Sequence, residues 1–226
     1  MKAMLMTLIA AITLSFTNFV NVNSTDSAGT QSSIKEIAKT VASENCTDEQ
    51  CFVETLQAIA WQESSFGKNL IGDSKKTVYF YKEDGKHIPI SKDVLSSLET
   101  DNHVHVSING ETKQVFSHVQ QKELSDSSLG TFQIKVNTAK YVIEKMKLSE
   151  FYYLLENESE LVYKLLLDIK FGAKIAVNYL KLNYNNAVRS GIQDPWFHAV
   201  SKYNGGSNNY NYVNAIRNKM NRLEDV

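Results

Sequence analysis

The spacing of apolar residues changes twice along this chain, and that change limits the fold more than any other feature. Up to about residue 70 the apolar residues recur at helical spacing. Between about residues 74 and 122 they alternate with polar ones, as in "TVYFYKEDGKHIPI" and "HVHVSINGETKQVFSHV". Asp84-Gly85 and Asn109-Gly110 supply hairpin turns there. After "SSLGTFQI" helical spacing returns and lasts to the end. The pattern predicts a mainly helical α+β chain with an inserted element of two β-hairpins. A short helical piece is expected inside the insertion, near "SKDVLSSLET". The only two prolines are Pro89 and Pro195, so long helices are permitted almost everywhere else.

The helices can be bounded from their signals. Residues 32–45 carry Ile34, Ile37, Ala38 and Val41 on one face, with Ser32 or Ser33 as cap. Residues 47–65 follow, with Thr47 and Gln50 spaced as a capping box and Gly67 as the stop. Two short helices are expected over residues 136–147 and 149–158. Residues 158–185 read as one long helix, apolar on most sides and so destined for the core. Asp194-Pro195 opens another, with proline in its first turn. "NGGSNN" breaks it, and residues 210–226 form a last helix.

The first 24 residues stand apart. "MKAMLMTLIAAITLSF" has one early lysine and then a charge-free apolar run, the pattern of a secretory signal, with cleavage expected between Asn21 and Ala28. An uncleaved membrane anchor is the alternative. Residues 25–226 then form one domain with the insertion at about 74–122. Export implies an oxidising compartment, so Cys46 and Cys51 in "NCTDEQC" are expected to pair. A net charge of −1 supplies no basic field for nucleic acid.

Four short segments hold chemistry-bearing residues in a fixed order. They are "QESSFG" with Glu63, "SSLGTFQI" with Gly130 and Gln133, "LLLDIKFGAKIAVNYL" around Gly172, and "AVSKYNGGSNNYNYV" with Tyr203, Asn204 and Tyr212. Singly each has an ordinary reading: a surface charge, a polar turn, a helix stop. Glu63 is nevertheless an anion at a helix C-terminus, where the helix field disfavours it. Together and in this order, they resemble the lytic transglycosylase family with the soluble-transglycosylase, lysozyme-like catalytic domain. The resemblance spans about residues 33–220, with the β region as an insertion. In finer detail it is similar to small transglycosylases that serve secretion or conjugation machinery.

The resemblance implies roles. Glu63 matches the catalytic glutamate and Ser64 the serine after it. Gly130, Phe132 and Gln133 match the segment that lines the sugar cleft. Tyr203 and Asn204 match the tyrosine-asparagine pair, and Tyr212 the late tyrosine that hydrogen-bonds the carboxyl, with Tyr210 as its competitor. It implies no cofactor, and glycan strands of peptidoglycan as partner, in the periplasm or cell envelope of a bacterium. It also implies a link to an envelope-spanning secretion complex. Thr131-Phe132 and Lys202 depart from the family pattern, which has leucine-methionine and alanine there. The insertion is the larger departure and should emerge beside the cleft.

The residue types suit the chemistry. Breaking a glycosidic bond at neutral pH needs a proton on the leaving oxygen. A free glutamate is ionised there, so the acid must be raised by burial. Phe66, Phe132, Tyr203 and Trp61 are the aromatic candidates to surround it, and Tyr203 or Tyr212 to orient it. Most glycosidases need a second carboxylate. Asp73 and Asp126 flank the insertion but are fixed by no motif. The family resembled here uses one glutamate as acid and then base, forming a 1,6-anhydro sugar. A water-using hydrolase and a non-catalytic peptidoglycan-binding or assembly factor are the alternatives. The Asn109-Gly110 hairpin would put His103, His105 and His118 on one strand face, with His118 opposite Asp101. Histidines on an exposed strand face are ordinary surface residues, and no metal is expected. His198 is read as a helix residue near the core.

Overall fold

The computed structural model describes residues 27–47, 51–73, 75–90, 105–108, 110–206 and 208–226. The expected signal segment, Gln50, His103 and the helical piece within residues 91–104 lie outside them. The chain is α+β and mainly helical. Among the described residues seven α-helices form the body: α1 (Ser27–Glu44), α2 (Val53–Ser64), α3 (Val136–Lys145), α4 (Glu158–Leu167), α5 (Ile169–Arg189), α6 (Pro195–Tyr203) and α7 (Tyr210–Met220). The central helix is α5. Phe171, Ala173, Ile175, Ala176, Val177 and Leu180 are all buried on it, and α1, α3, α4 and α6 pack around it. Among the described residues no helix is long and apolar enough to cross a membrane.

Cys46 and Cys51 form the expected disulfide, across the connection between α1 and α2. The helix start there is corrected. Thr47 does not cap; α2 begins at Val53 after Phe52, whose ring is buried and meets Tyr184 edge-on at 5.9 Å. Likewise Ser32 and Ser33 lie inside α1 and do not cap it.

The expected long helix is two. Asp168 leaves helical geometry with ψ 92°, and its carboxylate accepts the Phe171 N–H at 2.9 Å, so α5 starts afresh after α4. Residues on both sides keep one apolar spacing, which hides the break. Asp194 caps α6 in the same way, through Phe197 N–H at 2.8 Å, with Pro195 in the first turn as anticipated. Residues 149–154 are 3-10 rather than α, and α7 stops at Met220 before a 3-10 turn, Leu223–Asp225.

The insertion holds two small sheets. Strand β2 (Lys75–Glu83) turns through Asp84 and Gly85 into β3 (Lys86–Pro89). Both turn residues have positive φ, 50° and 74°, as a two-residue hairpin of this kind requires. Strand β4 (His105–Ile108) pairs with β5 (Glu111–Gln114) in the register expected of the second hairpin, His105 opposite Gln114. The strand then breaks at buried Val115, and β6 (Phe116–Gln121) joins β2 instead. His118 therefore stands opposite Val78, not Asp101. The body and the insertion meet at a short pair that periodicity does not reveal. Strand β1 (Ile71–Gly72) lies antiparallel to β7 (Ser128–Leu129), bringing the segments before and after the insertion side by side.

Candidate active site

Glu63 sits in the last turn of α2, and the chain stops that helix abruptly. Ser65, Phe66 and Gly67 all have positive φ, at 52°, 57° and 78°. A left-handed phenylalanine is strained, and here the bend drops its ring into the core. The N–H groups of Ser65 and Phe66 return to the carbonyls of Trp61 and Ala60 at 3.0 Å each. Glu63 is left half-buried on the wall of a cavity of about 420 Å³.

Opposite it lies the turn Gly130–Gln133, closed by paired backbone hydrogen bonds between Leu129 and Ile134. Three successive carbonyls of this turn are each held by a residue the sequence singled out. Gln133 Nε2 donates to Gly130 O at 2.8 Å and also to Asn69 O at 2.9 Å. Ser64 Oγ donates to Thr131 O at 2.7 Å, while accepting the Gly67 N–H at 2.7 Å. Tyr203 Oη donates to Phe132 O at 2.8 Å. Two glycines make room. Gly130 has φ 72°, and a Cβ there would lie 1.9 Å from the Leu165 carbonyl oxygen. Gly172 lets α5 approach Phe132, whose ring a Cβ would meet at 3.3 Å.

Tyr212 reaches the carboxyl from behind. Buried Ser201 holds the α6–α7 loop, donating to Gly206 O at 3.0 Å and accepting the Asn209 N–H at 2.6 Å. Asn209 caps α7 by accepting the Tyr212 N–H at 3.1 Å. This places Tyr212 in the first turn, where its hydroxyl donates to Glu63 Oε1 at 2.5 Å. Tyr210 is 63% exposed and packs against Phe197, so it does not compete.

Burial raises the Glu63 carboxyl above the ordinary glutamate range, and the Tyr212 hydrogen bond pulls it part of the way back. Both phenols are pushed up, Tyr203 and Tyr212 alike, first by burial and then by the nearby Glu63 charge. They stay protonated donors. With Oε1 occupied by Tyr212, Oε2 is left for the proton. A carboxyl raised in this way, on the wall of a cavity large enough for a sugar ring, can donate a proton to a bound group.

The predicted residues divide by depth. Glu63, Gln133, Tyr203 and Asn204 line the cavity. Ser64 and Phe132, each 1% exposed, and buried Gly130 and Tyr212 lie behind the residues that line it. Trp61 and Phe66 stack on each other at 6.0 Å away from the cavity lining, and Lys219 lies over the Trp61 ring. Asp73 lines the cavity, held by Lys122 at 2.7 Å and Lys135 at 3.8 Å; Asp126 does not line it. Eight lining residues were not anticipated in this role: Ser128, Ile134, Lys135, Thr138, Ile175, Tyr179, Lys202 and Gly205. Ile175 and Tyr179 follow Gly172 at three and seven positions, so helical spacing from that glycine points to them.

No protein family, curated protein or solved structure matches the chain.

Proposed function

We infer that this chain is an exported peptidoglycan lytic transglycosylase. It cleaves the β-1,4 bond between N-acetylmuramic acid and N-acetylglucosamine and leaves a 1,6-anhydro ring on the muramoyl product. The reading takes the helical body as lysozyme-like and the cavity as a glycan cleft. The observation that carries it is the buried Glu63 carboxyl, raised by desolvation and held by Tyr212, in one cavity with Gln133, Tyr203 and Asn204.

In this reading Glu63 Oε2 protonates the glycosidic oxygen as the bond to the muramoyl anomeric carbon breaks. The acetamido oxygen of the same sugar bonds to that carbon. Glu63, now a carboxylate, takes the proton of the 6-hydroxyl, whose oxygen displaces the acetamido oxygen. The ring closes, Glu63 is protonated again and no water is consumed. One carboxylate serves both steps, and a site that raises its pKa favours the first. The disulfide is compatible with export, and we place the protein in the periplasm or cell envelope of a bacterium. There it would open the wall locally for a secretion or conjugation apparatus, with the insertion available to dock that partner.

A second reading has one observation in its favour. Asp73 shares the cavity with Glu63 and pairs with two lysines, so a hydrolase would draw its second carboxylate from there. In a third, the cleft holds glycan without cutting it, in a binding or assembly factor.

Incubating sacculi with wild type and Glu63→Gln tests catalysis. The variant should lose at least about a hundredfold in rate while keeping its circular dichroism spectrum. Near-wild-type clearing by a folded Glu63→Gln protein would falsify the assignment. Sedimentation with sacculi that are never cleared favours the binding factor.

A further inference from the structure

Two lysines line the cavity, and neither has a role in the steps above. Lys202 precedes Tyr203 on the last turn of α6, and Lys135 stands just ahead of α3. Lys202 is half-buried, and among the described residues it forms no ion pair. Among the described residues Lys135 has one ion pair, a long one of 3.8 Å to an Asp73 carboxylate that Lys122 already holds at 2.7 Å. When Glu63 holds its proton, Asp73 is the only anion among the lining residues, against two cations. The cavity then carries surplus positive charge. Neither lysine is among the groups that shift Glu63, whose environment is set by burial and Tyr212.

We propose that Lys202, assisted by Lys135, forms an anion subsite that selects glycan carrying a carboxylate on its muramoyl lactyl arm. This rests on the cavity being a glycan cleft. The carboxylate has two possible sources: the free lactyl group of peptide-free glycan, or the peptide stem. A plain N-acetylglucosamine polymer has neither.

Three soluble disaccharides separate these cases by calorimetry with the intact protein: N,N′-diacetylchitobiose, N-acetylglucosaminyl-N-acetylmuramic acid, and the latter bearing a tetrapeptide. None contains the bond to be cut. At least one muramoyl ligand should bind about tenfold tighter than chitobiose. Lys202→Ala should close that gap to about twofold, Lys202→Arg should keep it, and raising salt to about 0.5 M should shrink it. The tighter of the two muramoyl ligands identifies the source. Equal binding of all three, binding of none, or a gap that survives Lys202→Ala overturns the subsite. If the protein cuts peptidoglycan yet binds all three alike, the subsite alone is lost. If it cuts nothing yet shows the Lys202-dependent gap, the subsite stands and the catalytic reading falls.

Discussion

At Glu63 two opposing influences are visible, and each has a separable consequence. Burial raises the carboxyl, and the 2.5 Å bond from Tyr212 lowers it. Tyr212→Phe removes only the second. The alkaline limb of the activity profile should then move to higher pH, because the acid keeps its proton longer. The maximal rate should fall roughly tenfold as the carboxyl loses its orienting bond. A limb that moves to lower pH contradicts this balance. Stability follows the same proton. The folded chain holds it to higher pH than the unfolded chain does, so this group's contribution is complete below the ordinary glutamate range. It declines as pH rises through the raised value. Glu63→Gln cannot ionise. It should melt close to wild type near about pH 4 and above wild type at neutral pH, in paired thermal scans. A variant that melts lower at neutral pH would show that the carboxylate stabilises the fold.

Among the elements, the Gly130–Gln133 turn has the most exacting surroundings, and two glycines test it differently. Gly130→Ala must push a Cβ against the Leu165 backbone carbonyl at 1.9 Å and hold alanine at φ 72°, so it should cost about 3 kcal/mol or more of stability. Gly72→Ala meets the Gln133 side-chain amide, its oxygen also at 1.9 Å. It should displace that amide from the cavity with a smaller loss of stability, read as a larger change in KM than in Tm. The reverse ranking in melting temperature contradicts the packing described. The helices around this turn were legible because burial against α5 forces an apolar stripe on each. Asp194-Pro195 was legible because a cap and a proline act locally. The break at Asp168 was not, since a cap inside an unbroken apolar run looks like one polar position on a longer helix. Thr47 misled for the converse reason: the capping pattern is present, but buried Phe52 sets where α2 begins.

Across the whole molecule, the insertion is a closed excursion. Its first and last strand residues, Lys75 and Gln121, are paired, and its buried side chains Phe80, Tyr81 and Val115 are not part of the main core. Replacing residues 75–121 by a tight turn should leave a cooperatively folded helical body, whose melting by circular dichroism checks this; a chain that no longer folds contradicts it. The β character of this region was legible from alternation and its two turn signals. Its final pairing was not, because β6 chooses between β2 and the hairpin through contacts that no local pattern encodes. The site lies at the same limit. Glu63 and Tyr212 are 149 positions apart, and only the order of motifs, never their spacing, suggested that they meet. That Ser64 and Phe132 lie behind the cavity wall was not legible, because sequence shows which residues gather, not at what depth. The central claim is that one carboxyl does both steps without water. It is tested most directly by digesting purified peptidoglycan with the protein and identifying the new chain ends by liquid chromatography and mass spectrometry. The account predicts 1,6-anhydromuramoyl ends that are lost in Glu63→Gln. Reducing muramoyl ends would contradict it and make Asp73 the second carboxylate of a hydrolase.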